Sequence, residues 1–498
     1  MKSEERSPLK IYLFYCMVVG AIFLISQNIL VLKKMWPQLP VDAPNFSSLF
    51  LGDDKPKYVE LESAIAINDI DTTTLVSEID TSIADSANVD EPEEEPKERP
   101  RQLLTYDSVP PPGLISFFNQ LRAIELGDTK QKVRIMHLGD SQIELDRISS
   151  YVRNKLQWRF GGSGVGFVPM YNPLITGGRL KNEGSWYRYT NYGNEAKSEL
   201  GSYGAWQSFT SFTPYPLDST YNDTNSFEAS TEYLGYKELY SLAKSFTSFK
   251  LFYELPKGNV SLKVTAGDSV FTDSLVADSN GFKVFEWKSS AKIKGLKLAF
   301  SGNVSPKFYG ISLENEAGIT LDNVAMRGSS GTFFNKNKGE QTAVMFKQLN
   351  PSLVILEYGG NVMPYIKDSA KCEYYGRSIS YQIKLVKQMC PKAGIIFIGP
   401  ADMSYKNGLY YETYPLLGYV RDVLKQVVHQ NGAAYWDMYE AMGGENSMPS
   451  WVAADPPLAG NDYTHFTYKG AALISELFYY ALETEYNKFI TKKEDNLP

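Results

Sequence analysis

A serine hydroxyl becomes a nucleophile only when a neighbouring base accepts its proton and a third group holds that base in place. The chain has three histidines, so the candidate bases are quickly sorted. His137 lies inside K-V-R-I-M-H-L-G, an apolar run that reads as a buried strand. His429 closes a helical run from Val420, just before Asn431-Gly432, where a cationic ring complements the negative end of the helix dipole. His465 stands apart in the polar loop G-N-D-Y-T-H-F-T-Y-K-G, with Asp462 three residues before it and able to hold its imidazole. The candidate nucleophile is Ser141, in G-D-S-Q directly after the His137 strand. Ser141, His465 and Asp462 have the residue types of a nucleophile, its base and the group that orients the base.

The elements around them must bring these distant residues together. Gly139 permits a tight bend and a helical pattern begins near Ile143, with a helix expected from about residue 146 to 158, so Ser141 falls on a strand-to-helix turn. In open parallel sheets ligands bind beyond the carboxyl ends of the strands, where a helix N-terminus also offers unpaired N–H groups. Strand-like runs at 321–326, 353–358, 394–398 and 433–436 alternate with helical runs near 342–348, 375–389, 416–429 and 468–482. That alternation predicts an α/β fold with a doubly wound parallel sheet. Gly328, Asn361 and Asp402 each follow one of these strands and are expected on the rim that carries Ser141. Cys372 and Cys390 bracket a predicted helix, and 18 residues at about 1.5 Å each hold them roughly 25 Å apart, so both are expected as free thiols. No His/Cys cluster has metal-ligand spacing, and neither a metal nor another cofactor is expected.

Four blocks, in this order, resemble those of the SGNH (GDSL-type) hydrolases: Gly139-Asp140-Ser141, Gly328 in A-M-R-G-S-S-G, Gly360-Asn361 in L-E-Y-G-G-N, and Asp462-x-x-His465. The resemblance covers about residues 120–172 and 318–485. It implies a flavodoxin-like three-layer hydrolase in which Ser141 attacks an ester, His465 carries the proton and Asp462 orients His465. It also implies an oxyanion site made of the Ser141 N–H, the Gly328 N–H and the Asn361 side-chain amide. Two departures stand out: Gln142 follows the serine where many members carry leucine, and G-G-N-V replaces the usual G-x-N-D. Gln142 and Asp402 are assigned to the substrate-facing rim.

Composition sets the wider frame. A net charge of −7 argues against a nucleic-acid binder. Residues 11–32 carry no charged side chain, and about 20 apolar residues suffice to span a bilayer, so residues 1–35 are expected as a cytoplasmic tail and retained transmembrane anchor. Residues 36–105 are dominated by Asp, Glu, Ser, Thr and Pro and read as a solvated tether. The hydrolase domain would then occupy 106–172 and 316–498. Between its halves, 173–315 shows short alternating runs and turn signals, the pattern of an inserted antiparallel β-sandwich. Trp186 and Trp206, with the tyrosines around them, could stack there on sugar rings. The Gly-rich stretch F-G-G-S-G-V-G follows a helix rather than a strand, so it reads as a turn and not as a phosphate loop.

These features predict a membrane-anchored enzyme facing the periplasm or cell exterior, removing O-acyl groups, O-acetyl first among them, from a glycan or peptidoglycan. The same triad also serves an O-acetyltransferase partnered with a membrane-bound O-acyltransferase. A non-catalytic glycan-binding surface protein is a third reading, which the intact Ser141, Asp462 and His465 disfavour.

Overall fold

The computed structural model describes residues 12–18, 20–21, 56–61, 102–128, 130–173, 180–192, 202–215, 226–235, 240–255, 257–278, 281–336 and 341–495. The sheet is built around strand β1 (Lys132–Gly139), whose period of two divides its side chains between two apolar layers. Val133 and Ile135 point into one layer, and Met136 and Leu138 into the other. The remaining parallel strands are β2 (Gly318–Ala325), β3 (Leu353–Glu357), β4 (Gly394–Ile398) and β5 (Ala434–Trp436). Their order is β2-β1-β3-β4-β5, and every pairing is parallel. A sheet covered on both faces needs apolar strands, and β3 and β4 are buried throughout.

Helices α1 (Pro112–Glu125), α2 (Ser149–Phe160), α3 (Gln341–Leu349), α4 (Ser369–Met389), α5 (Leu417–Gln430) and α6 (Tyr468–Glu494) cover the sheet. Phe117, Leu156 and Phe478 place α1, α2 and α6 in one layer against Trp436. Met345, Ile379 and Leu424 place α3, α4 and α5 in the other. The result is the expected three-layer, doubly wound arrangement. Register fixes the functional rim: Gly139 lies opposite Ala325 on one side and Glu357 on the other, so β1, β2 and β3 end at one level.

Between α2 and β2 the chain forms two antiparallel sheets. One runs Phe282–Ile293, Phe246–Glu254, Lys307–Glu314, Ser208–Ser211 and Tyr187–Thr190, with Gly166–Val168 also paired to Lys307–Glu314. The other runs Leu180–Glu183, Phe227–Tyr233, Leu296–Gly302, Asn259–Ala266 and Ser269–Val276. Phe249, Leu251, Leu262, Val264 and Leu298 fill the space between them. Since Gly166–Val168 already belongs to these sheets, they begin ahead of residue 173. A buried ionic cluster joins them to the parallel sheet. Arg134 of β1 donates to Asp322 of β2 at 2.7 Å and to Ser312 at 2.8 Å, and it also pairs with Glu314.

The stretch expected as a free tether, residues 36–105, departs from that expectation where it is described. Leu104 is buried, and Thr105 exchanges backbone hydrogen bonds of 2.8 Å with Tyr435, extending the sheet past β5. Residues 56–61 also dock: Tyr58 donates to the Tyr411 carbonyl at 3.1 Å, and Leu61 packs on the core. The physical reason is local, since Tyr58, Val59 and Leu61 supply apolar side chains within this stretch. Of the expected anchor at 11–32, residues 12–18 and 20–21 are helical and the rest lies outside the described residues. Among the described residues no helix is long and apolar enough to cross a membrane.

Candidate active site

β1 delivers the chain to Asp140, whose carboxylate accepts from the Gln142 N–H at 2.9 Å and so caps the turn that presents Ser141. In place of the expected α-helix, Ser141 opens a short 3₁₀ segment, Ser141–Asp146, broken at Glu144 and Leu145. Leu145 and Asp146 both take positive φ, 60° and 64°. Arg153 secures the break by gripping both Asp146 oxygens at 2.6 and 2.9 Å, and α2 starts only at Ser149. The dipole of a long helix is therefore not aimed at Ser141.

The Ser141 Oγ lies 2.8 Å from His465 Nε2, and His465 Nδ1 lies 2.7 Å from Asp462 Oδ2. The tautomer with its proton on Nδ1 satisfies both contacts, leaving Nε2 free to accept from Ser141. Asp462 holds its second oxygen on the backbone N–H groups of Thr464 and His465, each at 3.0 Å. Partial burial works against ionisation of Asp462, but these N–H donors and the His465 ring outweigh it and hold the carboxylate below its ordinary pKa. The loop is short-range in origin, since Asp462 and His465 are three residues apart, and it is braced by the Tyr463 ring stacked on Tyr411 at 3.6 Å. α6 opens immediately afterwards, capped by Thr467, whose hydroxyl accepts from the Gly470 N–H at 3.2 Å.

Two side chains near the serine tie the His465 loop to it. The Gln142 amide donates to the Thr464 carbonyl at 2.6 Å and accepts from the Phe466 N–H at 3.4 Å, gripping the backbone on both sides of His465. Arg147 donates to the Ser141 carbonyl at 2.5 Å, the Glu144 carbonyl at 3.0 Å and the Phe466 carbonyl at 2.9 Å. Gln142, expected to face substrate, does line the cleft, and its amide is also committed to the backbone around His465. Arg147 was not apparent from the sequence, because its partners are backbone carbonyls that no spacing rule encodes.

Asn361 follows β3 through Gly359, whose φ is +136° and where an added Cβ would approach the Pro400 ring to 2.9 Å. Its side-chain amide donates to Asp140 at 2.8 Å and to the Ser329 carbonyl at 3.1 Å. Burial, resisted by the Gln142 N–H, raises the Asp140 pKa to about 7. Beneath the serine, His137 bridges Ser149 at 2.9 Å and Glu357 at 3.0 Å, and Asn323 donates to Ser149 at 2.8 Å. Glu357 Oε1 has no hydrogen-bond partner among the described residues, and Glu357 helps line the cleft. The sequence offered only its place two residues before Gly359 as a signal.

The cleft over Ser141 has a volume of about 280 Å³, with Asn361, Tyr365, Pro400, Met403 and Tyr414 among its walls. Gly328, on the exposed loop after β2 with φ +74°, is not among the residues lining it. Asp402 is fully buried behind it, accepting from Thr413 at 2.6 Å, Met448 N–H at 2.6 Å and Ser447 at 3.3 Å. Burial raises the Asp402 pKa to about 6 against those donors, and its place is in the scaffold rather than on the rim. Trp206 is buried and stacks on Phe167 at 4.2 Å, beside a separate cavity of about 110 Å³. Trp186 packs against Phe212, Phe300 and Phe308 and donates to the Glu183 and Ser230 carbonyls. Both indoles are engaged in packing away from the cleft.

No family model matches the sequence, and no curated protein matches it. Solved structures do. A peptidoglycan O-acetylesterase is 22% identical, with 75% of this chain and 96% of that one covered and a TM-score of 0.57. A family two carbohydrate esterase from Clostridium thermocellum, in complex with cellohexaose, is 12% identical over 52% of this chain and 92% of that one, with a TM-score of 0.24. An acetylxylan esterase from Geobacillus stearothermophilus is 16% identical over 34% and 75%, with a TM-score of 0.27. These neighbours are esterases by description. The first likeness is one of fold.

Proposed function

We propose that this chain is a serine esterase that removes O-acetyl groups from a glycan or peptidoglycan outside the cytoplasm, held to the membrane by the apolar stretch at 11–32. The observation that carries the chemistry is the unbroken relay from Ser141 Oγ through His465 to Asp462, at 2.8 and 2.7 Å, open to a cleft at the sheet rim. A peptidoglycan O-acetylesterase with the same fold supports the choice of ester.

In this reading Ser141 Oγ attacks the acetyl carbonyl carbon while His465 Nε2 takes its proton. The tetrahedral oxyanion is met by the Ser141 N–H and the Asn361 amide, which exchanges its longer contact with the Ser329 carbonyl for the developing charge. Collapse expels the sugar oxygen, which takes the proton from His465. Water then attacks the acetyl-serine with His465 again as base, releasing acetate and restoring Ser141.

The test is labelling of the purified chain with a fluorophosphonate, followed by acetate release from an O-acetylated glycan. Modification of Ser141 together with loss of acetate release is expected. An unlabelled Ser141, or acetate release that survives its labelling, refutes the assignment. Acetyl appearing on an added glycan acceptor with little free acetate points instead to transfer.

A further inference from the structure

A second groove begins where the cleft ends. Tyr365 borders both, and the new groove, about 830 Å³ in volume, runs from there along α4. Tyr365, Tyr374 and Tyr381 are 74%, 68% and 51% exposed, an unusual amount of aromatic surface on one face. Lys371, Tyr374, Ser378 and Tyr381 recur at helical spacing, so they form one stripe about 15 Å long at ~1.5 Å per residue. Lys336, Lys371 and Arg377 add three exposed cations, and none of them makes an ion pair among the described residues. The Arg377 guanidinium sits 6.0 Å over the Tyr374 ring, presenting a cation and an aromatic face together. Among the described residues no carboxylate lines the groove, although the chain as a whole carries a charge of −7.

We infer that this groove binds the flanking part of an acidic glycan, a sugar polymer bearing carboxylates, whose acetylated residue lies over Ser141. The inference rests on the esterase reading and names its substrate class. Tyrosine rings suit the apolar faces of pyranose rings, and their hydroxyls remain available to sugar hydroxyls. Lys371 and Arg377 stand about 9 Å apart along α4 at ~1.5 Å per residue, with Lys336 on a separate segment of the groove wall, which matches carboxylates set at intervals along a chain. Continuity through Tyr365 gives the groove its register, because Tyr365 closes the 3₁₀ turn (Gly360–Tyr365) that also carries Asn361. A glycan seated here is thereby held with one sugar at the catalytic serine.

The experiment uses the full chain with two double variants, Tyr374→Ala with Tyr381→Ala, and Lys371→Glu with Arg377→Glu. It compares kcat/KM on O-acetylated peptidoglycan strands, on O-acetylated xylan freed of uronic acid, and on a small acetyl ester. Relative to the small ester, both variants are expected to lose about tenfold or more on the acidic strands. The charge reversal should spare neutral xylan, and the wild-type preference for acidic strands should shrink with added salt. Unchanged ratios overturn the inference, and equal losses on acidic and neutral glycans overturn the acidic assignment. Retention of each variant on insoluble peptidoglycan in a Ser141→Ala background reads binding without turnover. If the wild type cleaves none of the esters, the esterase reading fails, while weakened retention of the variants still supports the groove.

Discussion

Asp462 and Glu314 are both ion-paired carboxylates, yet the Asp462 side chain is 54% exposed in a loop and the Glu314 side chain is 0% exposed between two sets of sheets. Asp462 has one ring partner and two backbone donors, all within its own turn. Glu314 draws Lys132 and Arg134 from β1 and Lys250 from the strand Phe246–Glu254, with Ser312 donating to it at 2.7 Å. Burying a charge costs several kcal/mol, and only multiple well-placed partners offset it. An exposed pair adds little to stability, which leaves it free to serve chemistry. In the proposed esterase, one pair of residue types thus divides into a working carboxylate and a joining one.

The contrast breaks most visibly at the working end. Asp462→Asn is expected to lower kcat by about 10⁴-fold, because the wrong His465 tautomer is then favoured, while unfolding free energy moves by under about 1 kcal/mol. Steady-state rates on a small ester, set beside a denaturant melt, decide it. Glu314→Ala should do the reverse, costing about 3–5 kcal/mol by stranding buried cations, with kcat per folded molecule retained. An unaltered melting midpoint for that variant contradicts the assignment.

The pH dependence of stability sharpens the same contrast. Burial pushes the Glu314 pKa up, but Arg134, Lys132 and Lys250 overcome it and hold it at about 2, against an ordinary 4.5. A depressed folded-state pKa means that the stabilisation is complete above about pH 4.5 and is lost as pH falls toward 2. Chemical denaturation of the wild type should therefore lose about 3 kcal/mol over that window, and Glu314→Gln should flatten that part of the curve.

Gln142 lies between the two extremes, as a neutral clamp on the catalytic loop. Gln142→Ala is expected to cut kcat/KM by roughly tenfold to a hundredfold, the equivalent of about 1.5–3 kcal/mol. Gln142→Glu should restore little, since it cannot donate to the Thr464 carbonyl. The smallest effect belongs to His429, whose Nε2 meets Thr105 Oγ at 3.1 Å far along the chain from the triad. His429→Ala should leave the rate unchanged within about twofold and cost no more than about 1 kcal/mol.

Local pattern made much of this legible. The apolar runs of β1 to β5 and the helical spacing between them are properties of adjacent residues, so the parallel sheet could be read without coordinates. The triad was legible because chemistry restricts its residue types and only three histidines compete for the role. What packs across a residue is not local, and there the structure differs from expectation. Gln142 at the cleft wall spends its amide on the backbone beside His465, Asp402 at a strand end was roofed over by residues 413, 447 and 448, and Trp206 met Phe167 instead of solvent. The Ser141 helix gave way to a 3₁₀ turn because Arg153 and Arg147, reaching back from later in the chain, hold its broken backbone. The sequence by itself determined the strands, the helices and the candidates for nucleophile, base and orienting acid, since these follow from periodicity and side-chain chemistry. Only the tertiary structure decided which polar groups meet solvent and which meet one another, because burial and hydrogen-bond partners are set by chain segments hundreds of residues apart.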